Sequence, residues 1–176
     1  LTLAAGFYNG AQATSVTSSQ PGTLRFTREG SIPTEASQVY SVPVNIDSTQ
    51  VIRARNFSTN PQTLPSETAT NTYFINENVT IPVVSICTNP ENLWDWNTGI
   101  YVLGPNAETD FPYYEANFWK GWEKQAHTEY FDKQKNQGFE LDNGLKIHGN
   151  WSKAFPQRSF RILANDDYAT PWINYK

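Results

Sequence analysis

The stretch TLRFTREGSIPT, residues 23–34, decides how the first half of the chain folds. Its first five residues alternate, so that Leu24 and Phe26 share one side, which is typical of a half-buried strand. Glu29-Gly30-Ser31 and Pro33 then interrupt the alternation and predict a turn. A short strand that runs into such a turn indicates a β fold built from hairpins.

Similar short runs lie on both sides of this stretch, at residues 13–17, 42–46, 50–57 and 71–75. Several short strands at regular spacing favour a β-sandwich. In the run 50–57, Arg53 and Arg55 share one face. The segment 58–70 is rich in Ser, Thr, Asn and Pro, and we interpret it as either a linker or a long edge loop.

The second half of the chain carries a different pattern. Residues 81–88 have apolar side chains on both parities, which predicts a strand buried on both faces. Aromatic loops at 89–99 and 111–122 follow, then predicted strands at 124–131, 144–148 and 159–164, with turns at 136–138 and 142–144. Residues 115–124 form two helical turns at most.

We therefore predict a mainly β protein with two domains. An immunoglobulin-like β-sandwich spans residues 1–76, and a second β-rich domain spans residues 77–176. A length of 176 residues allows two small cores, and a content of 38% hydrophobic and 14% aromatic residues supplies apolar surface to fill them.

Charge and composition restrict the function classes. The net charge is −4 and the 13 Lys and Arg residues are scattered, which argues against nucleic acid as a partner. No apolar run approaches the roughly 20 residues that cross a bilayer, so we predict no membrane span. The single cysteine, Cys87, rules out an intrachain disulfide. Abundant Ser, Thr and Asn with few charges favours a secreted or cell-surface protein, extracellular or periplasmic.

The first half resembles the C-terminal domain of chitobiases and β-hexosaminidases. The resemblance rests on GFY (6–8), LRFTREGSIPT (24–34), Tyr40, Pro43 and VIRAR (51–55). Glu29 stands where that family has Asp, which still allows the turn. The resemblance implies an accessory immunoglobulin-like module of a secreted, carbohydrate-associated protein.

The second half, from about residue 78, resembles the beginning of the CotH domain. This family is named for a spore-coat protein and is similar to an atypical protein kinase. The phrases that carry the resemblance are PVVSI (82–86), NPENLWD (89–95), GIYV (99–102), AHTEYFD (126–132), LKIHGNWS (145–152) and FPQRSFR (155–161). It implies that the second domain is a partial kinase-like N-lobe of α+β type.

The CotH resemblance also implies a nucleotide site. Its candidate residues are His148, Gly149, Asn150, Ser152 and Arg158. The acidic residues that hold magnesium in kinase-like folds lie further downstream, so we expect no catalytic residue here, and ATP and Mg²⁺ only for a complete CotH-like domain. The chain has no initial Met and no signal segment, so we expect its natural start to have been removed.

Arg158 has two interpretations. If the last strand extends back to it, its cation lies on the face of Phe160 and Ile162 and needs an anion. If Pro156 delays the strand, Arg158 lies in the loop and pairs with a surface carboxylate.

The aromatic loops also have two interpretations. Exposed rings stack on sugars, which gives a glycan-binding or adhesion module with no enzymatic role, whereas buried rings complete a small core. The glycan-stacking candidates are Trp94, Trp96, Trp119 and Trp122. Expected partners are therefore the rest of the same protein, surface or coat proteins, or glycans.

We predict no metal site. His127 and His148 with Glu129 form a conceivable set of ligands, but hydrogen-bonded or solvent-facing histidines are the commoner arrangement. Asp95-x-Asn97-x-Gly99 has part of a calcium-loop pattern, and an Asx-type turn fits it better. Sequons occur at Asn56, Asn78 and Asn150.

Overall fold

The computed structural model describes residues 1–168 and 170–175 and confirms a mainly β protein. Eleven strands are described. They are β1 Gly6–Tyr8, β2 Gln12–Thr14, β3 Thr23–Thr27, β4 Gln38–Val39, β5 Val44–Ile46, β6 Gln50–Phe57, β7 Ala69–Ile75, β8 Val83–Cys87, β9 Lys124–Phe131, β10 Gln137–His148 and β11 Ser159–Leu163. The described helices are short: α1 Pro90–Trp94 and the 3-10 turns Asn117–Trp119 and Trp151–Ala154.

The chain forms two compact units, Leu1–Cys87 with Glu129–Phe139, and Thr88–Thr128 with Glu140–Lys176. The domain division into 1–76 and 77–176 stays a prediction. The sheets are five-stranded (β1-β7-β6-β3-β4), four-stranded (β11-β10-β9-β8) and two-stranded (β2-β5).

The core of the first unit joins side chains from the five-stranded and two-stranded sheets. Alternate residues of β6 and β5 point into it, because successive side chains of a strand face opposite sides. Its buried members are Val16, Phe26, Val44, Ile46, Ile52, Ala54, Tyr73 and Ile75. Two sheets that enclose one apolar layer form a β-sandwich.

The turn at Glu29-Gly30-Ser31 exists as predicted. Gly30 has φ 92°, a left-handed conformation that glycine adopts without steric cost. Its carbonyl accepts a hydrogen bond from Arg53 Nη1 at 2.9 Å and one from the buried Cys87 thiol at 3.5 Å. The turn is therefore fixed to the interior of the sandwich.

Residues 58–68 form a loop of the first unit between β6 and β7, whereas Ala69 and Thr70, the last residues of the predicted segment, already belong to β7. Ser66 N–H donates to the Asn56 carbonyl at 2.9 Å, and Asn56 N–H donates to Ser66 Oγ at 3.0 Å. Arg55 Nε also donates to the Ser66 carbonyl at 2.5 Å. These bonds attach the loop to β6.

The second unit has its own apolar cluster. It consists of Ile100, Ala116, Phe118, Ile147 and Ala154. Ile147 comes from β10, which pairs antiparallel with β11 so that Ile147 lies opposite Phe160. The two 3-10 turns supply Phe118 and Ala154, and irregular segments supply Ile100 and Ala116, so the sheet contributes only one side of this core.

Several local predictions were wrong. The turn predicted at 136–138 lies at 133–134, so Gln137 and Gly138 already belong to β10. Residues 142–144 lie inside β10 and form no turn, because the strand continues into its pairing with β11, where Gly144 lies opposite Leu163. A Cβ at Gly144 would meet the Glu123 side chain. The strand predicted at 42–46 begins only at Val44, since Pro43 has no N–H for a ladder. β8 is not buried on both faces, since Val84 is 49% exposed and its side of the strand is therefore open to solvent.

Ile52 provides a test of the sandwich core. Its side chain is fully buried, so Ile52→Ala should lower the free energy of unfolding by about 2–5 kcal/mol through lost burial and a cavity. Val42→Ala, at a position 68% exposed, is the matched control and should change it by less than about 0.5 kcal/mol. Urea denaturation followed by circular dichroism measures both. Equal effects would show that Ile52 is not a core residue.

Candidate functional site

The candidate nucleotide residues lie on one segment of the second unit. His148 ends β10 and is exposed. Gly149 follows with φ 124°, a backbone conformation that favours glycine, and a Cβ there would also meet Ser152 Oγ. Asn150 then precedes the 3-10 turn Trp151–Ala154. The structure therefore brings His148, Gly149, Asn150 and Ser152 together as one tight loop.

Arg158 lies just before β11, in the loop, as the Pro156 interpretation predicts. Its guanidinium carbon lies 4.1 Å from the Phe118 ring centroid and 4.9 Å from that of Tyr101. Its Nε donates to the Lys153 carbonyl at 2.6 Å, and its Nη1 donates to the Tyr101 carbonyl at 3.3 Å. The cation is thus held by two ring faces and two carbonyls.

The partner predicted for Arg158 was a carboxylate, and this was wrong. Within residues 1–168 and 170–175, the ion pairs described are Lys120–Glu115 and His127–Asp142. Burial lowers the pKa of Arg158 from its ordinary value, and the contacts with Tyr101 oppose that shift. The carbonyl dipoles and ring faces partly replace the water that burial removes.

Sequence reasoning missed Tyr101 and Phe118 as the partners of Arg158. Tyr101 also accepts, through its hydroxyl, a hydrogen bond from the Arg158 backbone N–H at 3.0 Å. The two residues are 57 positions apart in the chain. No spacing rule connects such distant positions, so no signal in a single sequence identifies this contact.

The tryptophan candidates differ in exposure. Trp94 is 58% exposed, Trp96 55% and Trp122 39%, whereas Trp119 packs against the apolar cluster and donates its Nε1–H to the Pro112 carbonyl at 3.0 Å. Trp119 therefore completes the core of the second unit, whereas the rings of Trp94, Trp96 and Trp122 are exposed to solvent.

Asp95 forms the predicted Asx-type turn. Its Oδ1 accepts hydrogen bonds from the backbone N–H groups of Asn97 and Thr98, at 3.0 and 2.8 Å. It also accepts one from the Thr98 hydroxyl at 2.9 Å. These donors lower the pKa of Asp95, with the Thr98 backbone bond as the first cause. The carboxylate is thereby engaged in closing the loop after α1.

The two histidines have different environments. His127 is buried on β9, and its Nδ1 lies 2.8 Å from Asp142 Oδ1. His148 is exposed. The structure therefore describes His127 as a hydrogen-bonded interior residue and His148 as a surface residue.

The three sequons are not equivalent. Asn56 is 6% exposed, and its Nδ2 donates to Ser18 Oγ and to the Gln20 carbonyl, both at 3.0 Å. Asn78 and Asn150 are exposed. Asn56 therefore serves the structure of the sandwich.

Among the described residues, no helix has the length and apolar character needed to cross a membrane.

Residues 3–70 match the family model of the chitobiase/beta-hexosaminidase C-terminal domain. The match confirms the predicted resemblance for this segment and supports a β-sandwich accessory domain there. No curated protein and no solved structure matches the chain. The resemblance of the second half to the CotH family stays a prediction.

Replacing Arg158 tests the ring and carbonyl contacts. Arg158→Met keeps much of the side-chain volume but removes the charged hydrogen bonds and the cation–π contacts. We expect the free energy of unfolding to fall by about 2 kcal/mol.

Arg161→Met, on the exposed side of β11, is the matched control and should change the stability by less than about 0.5 kcal/mol. Chemical denaturation of both variants gives the comparison. An Arg158→Met protein as stable as the control would refute the structural role of the guanidinium.

Proposed function

We propose that this chain is part of a secreted or cell-surface multidomain protein of the CotH family. In this proposal, an accessory β-sandwich over residues 1–76 precedes the beginning of a kinase-like domain over residues 77–176. The observation that carries the proposal is the family match of residues 3–70, which identifies an accessory type of module. The order of CotH-like phrases from PVVSI (82–86) to FPQRSFR (155–161) supports the second part.

The whole protein, in this proposal, transfers phosphate from ATP with Mg²⁺ to a surface or coat protein, and its remaining segments supply the acidic machinery. The described loop supplies at most a phosphate-facing backbone, at Gly149. Arg158 already directs Nε and Nη1 to carbonyls, which leaves it poorly placed to neutralise a phosphate. Residues 1–176 alone are therefore proposed to be catalytically inactive.

Titration with Mg-ATP tests this proposal. We expect isothermal titration calorimetry to show no saturable binding to residues 1–176, and an ADP-release assay to show no turnover, because the magnesium-holding residues of a kinase-like site lie outside the CotH-like phrases found here. Tight binding with turnover by residues 1–176 alone would overturn the proposal of inactivity.

The second candidate is a glycan-binding or adhesion module. The observation that favours it is the exposure of Trp94, Trp96 and Trp122 in the second unit, together with a family match that names glycan-processing enzymes. Exposed aromatic rings bind the apolar faces of sugars while their surroundings stay hydrated. A glycan array probed with the purified chain distinguishes this candidate, and an array without signal would remove it.

A further inference from the structure

Three aromatic side chains in the second unit form an exposed face that the sequence did not suggest. Phe111 is 51% exposed, Trp151 53% and Phe155 51%. The Phe111 ring centroid lies 6.0 Å from that of Trp151 and 6.0 Å from that of Phe155, and the Phe111 and Phe155 planes differ by 19°. We call this group the aromatic platform.

The platform differs from the scattered apolar residues found on every protein surface. Single exposed hydrophobic side chains are normal, whereas contiguous exposed groups mark binding surfaces. Trp151 and Phe155 are four positions apart and both turn outward, while Ala154 between them is 5% exposed and belongs to the apolar cluster. One side of this segment therefore packs against the apolar cluster, and the other side faces solvent.

Both segments that carry the platform are fixed from beneath. The Pro112 carbonyl, next to Phe111, accepts the Trp119 indole N–H at 3.0 Å. The Lys153 carbonyl, between Trp151 and Phe155, accepts Arg158 Nε at 2.6 Å. A preordered surface loses little conformational entropy when it binds a ligand, so rings held in this way suit recognition.

The charges near the platform argue for a neutral ligand. The Lys153 ammonium lies 5.8 Å from the Trp119 ring centroid, and Arg158 lies over Phe118 and Tyr101. These two cations already lie against other aromatic rings, which makes them less suited to pairing with a phosphate on the platform. This disfavours a nucleotide.

The polar neighbours favour a sugar. Asp110, Asn150 and Ser152 are exposed and adjoin the platform residues in the chain. A pyranose ring combines an apolar face of C–H groups with a rim of hydroxyls, so it requires aromatic faces and hydrogen-bonding groups together. We propose that Phe111, Trp151 and Phe155 form a binding platform for a neutral oligosaccharide. This inference rests on the second candidate function and assigns its site to a different set of rings.

Calorimetric titration with cellohexaose and with chitohexaose tests the platform, because in both sugars the equatorial substituents leave the ring faces apolar. We expect saturable binding of at least one of them. Trp151→Ala and Phe155→Ala should each weaken it about tenfold, since each removes one stacking surface worth roughly one factor of ten in affinity. Both side chains are half exposed, and thermal unfolding verifies that the variants remain folded.

Trp172→Ala, at a tryptophan 77% exposed, is the matched control and should bind as the unaltered chain does. Trp94→Ala separates the two sets of rings. Binding lost in Trp94→Ala but kept in Trp151→Ala and Phe155→Ala would overturn the platform while the glycan-binding candidate stands. A chain that binds neither sugar overturns the platform, and the glycan array then shows whether the candidate function fails with it.

Discussion

The structure of the first unit depends on how one buried cation is satisfied. Arg53 on β6 is 3% exposed, and a guanidinium removed from water is strongly destabilising unless hydrogen bonds replace its hydration. Its Nη1 reaches the Gly30 carbonyl and its Nε reaches Thr70 Oγ1 on β7 at 3.2 Å. The left-handed conformation of Gly30 belongs to the turn that places this carbonyl within reach. One side chain therefore connects the turn after β3 to β6 and β7, which are the centre of the five-stranded sheet.

The second unit also contains a cation partly removed from water, Arg158, but aromatic rings and backbone carbonyls surround it. Arg158 is partly buried against Phe118 and Tyr101, and backbone carbonyls take its donors. A cation so engaged stabilises the loop between Asn150 and β11, and under our proposal it is poorly placed to bind a phosphate. The same arrangement fixes the Lys153 carbonyl and with it the turn that presents Trp151 and Phe155. The structural use of Arg158 is one reason why we propose a neutral ligand for this unit and not a charged one.

Much of the fold could be predicted from periodicity and turn chemistry. β3 and β6 have the predicted bounds. The apolar residues Leu24 and Phe26 alternate in β3, and polar turn residues flank both strands. One error arose because a residue typical of turns lies inside a strand. Gly144 follows Asp142-Asn143, a strong turn pattern, yet it lies within β10, because it pairs with Leu163 of β11 and a ladder contact between distant residues prevails over the local turn pattern. The short α1 helix was interpreted as a loop, because five residues are too few to show a helical period.

The amino-acid sequence by itself determined that the chain is mainly β, that the segment 23–34 is a strand followed by a turn, and that residues 3–70 carry an accessory sandwich module. These features are local, or are patterns of residues close together in the chain. Only the tertiary structure decided that Arg158 contacts Tyr101 and Phe118, that Asn56 is buried, and that Phe111, Trp151 and Phe155 lie together at the surface. Each of these facts depends on contacts between distant positions, and the burial of an aromatic ring is a property of its neighbours in space that neighbours in sequence do not specify.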